Sequence, residues 1–317
     1  MIDTVYFEEE VLQHPTATRV RNALPKANWV PINRFQELFN IRNQNFRIQK
    51  KNPALILAKK FENFVLPVPS GFGMNSTKNF YFSHMYNCVY DCKYCYLQGL
   101  FASSNYVVFV NFEDFFHEIK RKINSNKNKK ITFFSGYDCD SLALENVTGF
   151  IKEILPQFKN YKNSYLEIRT KSASLHPFKS IQPSDNFILA YSLMPNKASY
   201  NLDIKAPSID KRLKTIFILS KIGWKIGLRF DPLIYYKNWE KDYDDLFSYI
   251  QDNLSSQSIH SITFGSLRFP KKNFKTIESF YPDEILFSSN FIEKNNKIFY
   301  PEKITELMFE FCKKKFM

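Results

Sequence analysis

The chain has 317 residues, 44% hydrophobic and 24% charged, with 33 Phe and 18 Tyr, which is ample for one sizeable core and excludes a collagenous or wholly disordered chain. Forty-four Lys and Arg against 31 Asp and Glu leave a formal charge of +13, which suits a polyanionic partner such as nucleic acid; richness in Lys, Asn, Phe, Ile and Tyr is also what AT-biased codon usage produces. No apolar run approaches the roughly 20 residues of a bilayer-spanning helix, and the start, MIDTVYFEEEVLQ, lacks a cationic flank leading into an apolar stretch, so a cytoplasmic protein without a membrane partner is expected.

In chain order, the first strand candidate is ALILAKK (Ala54 to Lys60), inside an N-terminal extension assigned to residues 1–75. The Pro/Gly/Ser loop LPVPSGFGMNSTKN marks its boundary. From Asn79 short β-rich runs alternate with helical segments, which predicts strand-helix units around a parallel sheet over residues 76–266. The strands are expected at Asn79 to Tyr86, Lys130 to Gly136, Ser164 to Thr170, Asn186 to Met194, Lys225 to Asp231 and His260 to Ser266. The run KRKINSNKNKK, Lys120 to Lys130, reads as a helix end entering a solvated loop. Ser208 is an N-cap candidate, Asp210 sits in the first turn, Leu213, Ile216, Phe217 and Leu219 continue an apolar face, and Gly223 ends that helix. Residues 267–317 break the alternation with a basic segment, a helix, two short strands around Glu293 to Lys297 and a terminal helix, a small α+β region. Six strands predict an incomplete barrel or an open doubly wound sheet.

Five cysteines are an odd number, and Cys88, Cys92 and Cys95 lie within eight residues as C-x3-C-x2-C, directly after the first strand of the alternating region. That is a metal or redox pattern rather than a secreted disulfide framework. Three thiolates on one tight loop can hold three irons of a cubane or three positions around zinc. The five His, including His84 and His117, form no ligand spacing.

The motif CVYDCKYC after a first strand resembles the radical SAM superfamily. YCYLQ (Tyr94 to Gln98), DSLALENVTG (Asp140 to Gly149), RTK (Arg169 to Lys171), YSL (Tyr191 to Leu193), APSIDKRL (Ala206 to Leu213) and DPLIYYKNWEKDY (Asp231 to Tyr243) follow in the order and approximate spacing of the spore photoproduct lyase family. The resemblance runs from about Ala54 through most of the chain. It implies an α/β fold, a partial (β/α)6 TIM-like barrel of radical SAM type with its site at the carboxyl ends of the strands, between the N-terminal extension and the small C-terminal region. It also implies a 4Fe-4S cluster held by Cys88, Cys92 and Cys95, with S-adenosyl-L-methionine on the fourth iron.

By the same resemblance Lys171 pairs with the methionyl carboxylate, Ser192 supplies a hydroxyl contact to the cofactor, and Tyr94 packs beside the adenine. Each has a plainer reading: a snorkelling Lys, a polar barrel-layer Ser, a packed ring. Tyr96 matches a family tyrosine implicated in radical propagation, or simply packs. The segment SGYDCDS departs from the family, whose hydrogen-donor Cys stands at the position of Tyr137. Cys139, two residues on, returns to the same face and is a donor candidate, or a buried cofactor-lining residue where the family has a serine. Tyr137 is the other donor candidate. Asp231 replaces a small family residue beside the cofactor, where it binds a ribose hydroxyl or a different substrate, or pairs with Arg229. Lys271, Lys272 and Lys275 read either as phosphate contacts or as a solvated helix start.

The resemblance thus implies a carbon-carbon lyase that repairs a pyrimidine photoproduct in DNA by hydrogen abstraction, fed by an external electron donor such as flavodoxin or ferredoxin. A radical SAM enzyme acting on RNA or a modified nucleotide is the alternative. A non-catalytic nucleic-acid-binding protein with zinc on Cys88, Cys92, Cys95 and Cys139 is a third reading.

Overall fold

The computed structural model describes residues 2–69, 72–74 and 77–316, so residues 70, 71, 75 and 76 of the expected boundary loop lie outside it. The chain forms two units that interleave along the sequence. One comprises the residues up to Val89, Phe101–Thr170 and Ser174–Leu189; the other comprises Tyr90–Leu100, Lys171–Ala173 and the chain from Ala190.

The first unit contains a five-stranded sheet in the order Asn28–Ile32, Thr4–Glu8, Leu55–Ala58, Tyr106–Phe109, Met85–Tyr86. Its first four strands are parallel, and Met85–Tyr86 is antiparallel to its neighbour. LILA and YVVF are buried at every position, as strands covered on both faces must be. Buried Glu8 fixes the strand ends by accepting the N–H groups of Phe35 and Lys59, each at 2.9 Å.

Four neighbouring strands of a seven-stranded sheet belong to this unit, in the order Ser164–Thr170, Ile131–Ser135, Lys78–Phe82, Leu66–Pro67, the first three parallel and the last antiparallel. Helix Phe112–Asn124 buries Phe112, Phe115, Ile119 and Ile123 from one helical face. It meets Phe150 of helix Phe150–Phe158: the Phe112 and Phe150 rings cross at 4.9 Å, and Phe82 lies 5.8 Å from Phe150. The single strand expected over Asn79 to Tyr86 is two strands in two sheets. The break falls at Ser83 and His84, where the Ser83 hydroxyl donates to Asp138 and the His84 carbonyl accepts the Phe109 N–H at 3.0 Å.

Strand Phe187–Ser192 carries the chain from the first unit into the second. There Lys225–Leu233 and Ile259–Ser266 pair in parallel, joined through helix Trp239–Asn253. Phe230, Phe247, Phe264 and Phe316 pack ring on ring at this pair, with centroids 5.0 to 6.4 Å apart. Helix Ile209–Lys221 starts with the Lys211 N–H on the Ser208 hydroxyl at 3.4 Å, and Gly223 follows it at φ 99°. Strands Arg268–Pro270, Lys297–Phe299 and Ile292–Lys294 then form a small antiparallel sheet, with helices Lys271–Ser279 and Glu302–Phe316. The architecture is mixed α/β with parallel sheets, consistent with a partial barrel, and no sheet closes on itself among the described residues. No described helix is long and apolar enough to cross a membrane.

Candidate active site

The loop bearing the cysteines is set from both ends. Asn87 takes the left-handed conformation, φ 64°, that Asn tolerates better than most residues. Its buried amide donates to the carbonyls of Ser103 and Asn105 at 2.8 and 2.7 Å, and Lys50 Nζ donates to the Cys88 carbonyl at 2.5 Å. Beyond Val89, Asp91–Cys92 pairs antiparallel with Asp203–Ile204, and the Lys93 N–H reaches the Leu202 carbonyl at 2.9 Å. The Cys95 N–H closes a turn onto the Cys92 carbonyl at 3.1 Å. The Gln98 amide ties Asp91 Oδ1 at 2.9 Å to the Cys92 carbonyl at 3.2 Å, and the Tyr281 hydroxyl adds a 3.2 Å bond to Asp91. None of Cys88, Cys92 and Cys95 is tied up in a disulfide; Cys92 is buried and the other two are partly exposed. Among the described residues no three His, Cys, Asp or Glu side chains gather around a single metal-ion position. A cubane takes one thiolate per iron, so its ligands do not converge on one point, and three cysteines at this spacing are the donor set it needs.

Tyr94, between two of these cysteines, is buried, and its hydroxyl donates to Asp203. Asp203 also accepts from Ser199 at 3.2 Å and pairs with Arg212 at 2.7 Å. Fully buried Arg212 also donates to the carbonyls of Ser192, at 3.0 Å, and Pro207, at 2.9 Å. Lys171 lies with its ammonium 5.7 Å from the Tyr94 ring centre. Burial works against ionisation of Asp203, but Lys171 and Arg212 and the hydrogen bonds from Tyr94 and Arg212 outweigh it and hold the carboxyl below its usual pKa. Burial likewise opposes the Lys171 charge, and attraction to Asp203 and Cys92 overcomes it, so the pKa is raised and the ammonium persists. The Tyr94 hydroxyl is pushed well up by burial, then by the Asp203 and Cys92 charges. Tyr94, Lys171 and Ser192 are therefore brought together, tied by the Asp203 and Arg212 pair that sequence reasoning missed; Arg212 lay inside the APSIDKRL block without a role.

In the first unit, the turn after Ile131–Ser135 needs Gly136 at φ 76°, where a Cβ would meet Ser141 Oγ at 2.4 Å. The Ser135 and Ser141 hydroxyls bond at 2.7 Å, and Asp140 Oδ1 accepts from Thr170 at 2.7 Å and from the Leu142 N–H at 3.0 Å. The turn holds Cys139 buried, its thiol pushed well up by burial and then by neighbouring Cys88, Asp138 and Asp140. Tyr137 is 41% exposed and stacks on Tyr81 at 4.2 Å. Beside it lies a cluster that the sequence reading also missed. Ser83 donates to Asp138 at 2.6 Å, and buried Lys60 donates to the Tyr86 hydroxyl at 3.0 Å. Burial lowers Lys60 to about 8 against the pull of Asp138 and Glu62, and raises Tyr86 to about 12. The adjacency of Asp138 to Tyr137 was the one signal available for it.

Tyr96, partly exposed, opens the short turn Tyr96–Gly99. Asp231 forms a two-pronged pair with Arg268 at 3.0 and 3.2 Å, while Arg229 donates to the carbonyls of Leu228 and Ser261 and to the Ser261 hydroxyl. Lys271 meets Glu293 at 2.7 Å, and Lys272 and Lys275 are exposed.

A family model described as spore photoproduct lyase matches residues 1–298. The chain belongs to the spore photoproduct lyase family. Among curated members it is 23% identical to the spore photoproduct lyase of Clostridium acetobutylicum over 202 residues, 63% of this chain and 55% of that one. With the Bacillus subtilis enzyme it shares 23% over 198 residues, 62% of this chain and 58% of that one. The matched region thus spans little more than half the length of these relatives. A mutant spore photoproduct lyase solved with bound AdoMet and dinucleoside spore photoproduct aligns at TM-score 0.85 and 18% identity, covering 99% of this chain and 95% of that one. Another mutant of the lyase aligns at 0.86 with the same identity and coverage. The fold of the family is therefore shared over nearly the whole chain.

Proposed function

We propose that this member of the spore photoproduct lyase family is a radical SAM enzyme that repairs a pyrimidine photoproduct in DNA by carbon-carbon bond cleavage. The observation that carries the reading is the C-x3-C-x2-C set of Cys88, Cys92 and Cys95, none of them in a disulfide, on a loop fixed by Asn87, Gln98 and the Asp91–Cys92 pairing, in a chain that the family model matches through residue 298. A 4Fe-4S cluster with S-adenosyl-L-methionine, when bound and reduced by an external one-electron donor such as flavodoxin or ferredoxin, supplies a 5′-deoxyadenosyl radical.

The chain's own residues bind and orient. Lys171 keeps its positive charge and serves as the point-charge partner of the methionyl carboxylate. Ser192 has its carbonyl held by Arg212, which fixes the backbone from which its hydroxyl reaches the cofactor. With its hydroxyl committed to Asp203, Tyr94 offers the cofactor its ring. Asp231, held by Arg268, presents a carboxylate oriented for a ribose hydroxyl. Cys139 stays a neutral thiol, the form from which a hydrogen atom is donated, and Tyr137 stands exposed at the family's donor position. Tyr96 is the further candidate for passing that hydrogen on.

The test is spectroscopic. Anaerobically reconstituted protein is expected to hold four irons and four sulfides, brown in colour, with an electron paramagnetic resonance signal in the reduced state that changes when S-adenosyl-L-methionine is added. Cys92→Ala is expected to lose the cluster. One zinc per chain with no iron, or an unaltered cluster in Cys92→Ala, would refute the assignment. Cofactor cleavage without repair would instead direct the search to RNA or a modified nucleotide, which the Tyr at the donor position favours.

A further inference from the structure

In the first unit, Lys60, Asn63, Leu66, Tyr81, Phe82, Ser83, Tyr86 and Asp138 line an open cavity of about 230 Å³. None of its polar groups has a role in the chemistry above. Its walls are set before any ligand arrives. The Lys60 backbone is pinned at both groups by Asn111, at 2.9 and 2.8 Å, and its ammonium, on a side chain only 8% exposed, lies 4.4 Å from the Phe109 ring centre and 4.9 Å from that of Tyr86. Asp138 is held by Ser83 through Oδ2 alone, which leaves Oδ1 as an acceptor. The Tyr86 hydroxyl accepts from Lys60, so its own proton is left to donate, and Lys60 has two further N–H groups. Tyr81 lines the cavity and stacks on Tyr137.

This combination narrows the ligand. One ammonium and one carboxylate cancel, so a phosphate drawn by Lys60 is repelled by Asp138, and a neutral dipolar ligand is favoured over an ion. A fixed acceptor beside fixed donors complements a planar edge carrying an N–H next to a carbonyl, and aromatic walls suit a flat ring. The volume is that of a single small ring system rather than a dinucleotide. We infer that this cavity binds one pyrimidine base, with Asp138 accepting the ring N3–H and Lys60 with Tyr86 donating to the adjacent carbonyl. The identification of the base rests on the nucleic-acid reading above. It adds a base-reading site that depends on neither the cysteines nor Lys171. Because the residues are already in place, little ordering offsets the binding.

The experiment measures binding of thymidine and of N3-methylthymidine to the full-length, reconstituted protein by calorimetry or saturation-transfer NMR, with ribose 5-phosphate as the control anion. Methylation removes the N–H and keeps the ring, and is expected to weaken binding at least tenfold. Ribose 5-phosphate is expected not to compete. Asp138→Ala, at a partly exposed position, is expected to bring the two nucleosides to equal, weak affinity, and Lys60→Met to weaken thymidine at least fivefold with retained melting behaviour. Equal affinities for the two nucleosides in the unaltered protein would overturn the inference without any variant having to fold, as would unchanged discrimination in Asp138→Ala. Release of 5′-deoxyadenosine with a lesion dinucleotide is measured on the same preparations. N–H-dependent thymidine binding without that release would sink the enzymatic reading and leave the site standing; release without N–H dependence would do the reverse.

Discussion

Replacing Asp203 by Asn tests the buried node that fastens the Tyr94 segment. The change keeps size and an acceptor oxygen for Tyr94 but removes the charge that Arg212 faces at 2.7 Å. Arg212 is fully buried, and its other bonds are to neutral carbonyls, so the variant strands a guanidinium in low dielectric. Breaking a buried pair from one side costs about 3–5 kcal/mol. At roughly 2–4 °C per kcal/mol for a large domain, melting should fall by roughly 6–20 °C. Arg212→Met with Asp203→Asn removes the stranded charge and should be less destabilised than the sum of the single variants, with a coupling of about 1–3 kcal/mol. Because Asp203 is held below its usual pKa, its contribution is present above the unfolded carboxylate pKa and is lost as pH falls through the folded one. Denaturant titration of the four proteins at neutral pH supplies the cycle. Stability of Asp203→Asn within about 0.5 kcal/mol of the parent, or strict additivity, would refute the argument, since surface-like pairs contribute that little.

Other consequences are as definite. His84 is buried against Phe150, with ring centres 3.8 Å apart and no hydrogen-bond partner at Nδ1, and burial lowers its pKa to about 3. The folded state therefore resists a proton that the unfolded chain accepts, so stability should fall as pH drops below about 6.5, by about 2 kcal/mol at pH 5, and His84→Phe should flatten that part of the pH-stability curve. Gly136→Ala places a Cβ 2.4 Å from Ser141 Oγ at positive φ and should cost about 1–3 kcal/mol in a denaturant titration; Gly136→Asn, better suited to that conformation, should cost no more despite its larger side chain. Cys139→Ala should keep full iron and sulfide content by metal analysis, whereas iron loss there would make it a ligand.

Much of this organisation was legible because it is local. Ser164–Thr170 is a strand over the residues its pattern indicated, Ser208 caps the helix that follows it, and the cysteine spacing needs only one loop. A residue whose role depends on a distant partner carries no such local signal. YVVF at Tyr106–Phe109 is too short and uniformly apolar to reveal that it pairs with Leu55–Ala58. Arg212, flanked by Lys211 and Lys214, reads as part of a solvated helix face, yet it is buried because Asp203 lies on the short strand preceding that helix. Lys60 reads as the polar end of a strand, and only the fold shows the Phe109 and Tyr86 rings and the Asp138 carboxylate around it. Ser83 and His84 divide one apolar run between two sheets, a decision made by Phe109 and Asp138 rather than by propensity.

The most direct measurement is a single-vessel turnover under anaerobic conditions: reconstituted, dithionite-reduced protein, S-adenosyl-L-methionine and a synthetic spore-photoproduct dinucleotide, with thymidylyl-thymidine and 5′-deoxyadenosine quantified in one chromatogram. The account predicts that both appear, and that repair is lost in Cys92→Ala. Protein shown to carry its cluster that yields no thymidylyl-thymidine would contradict it.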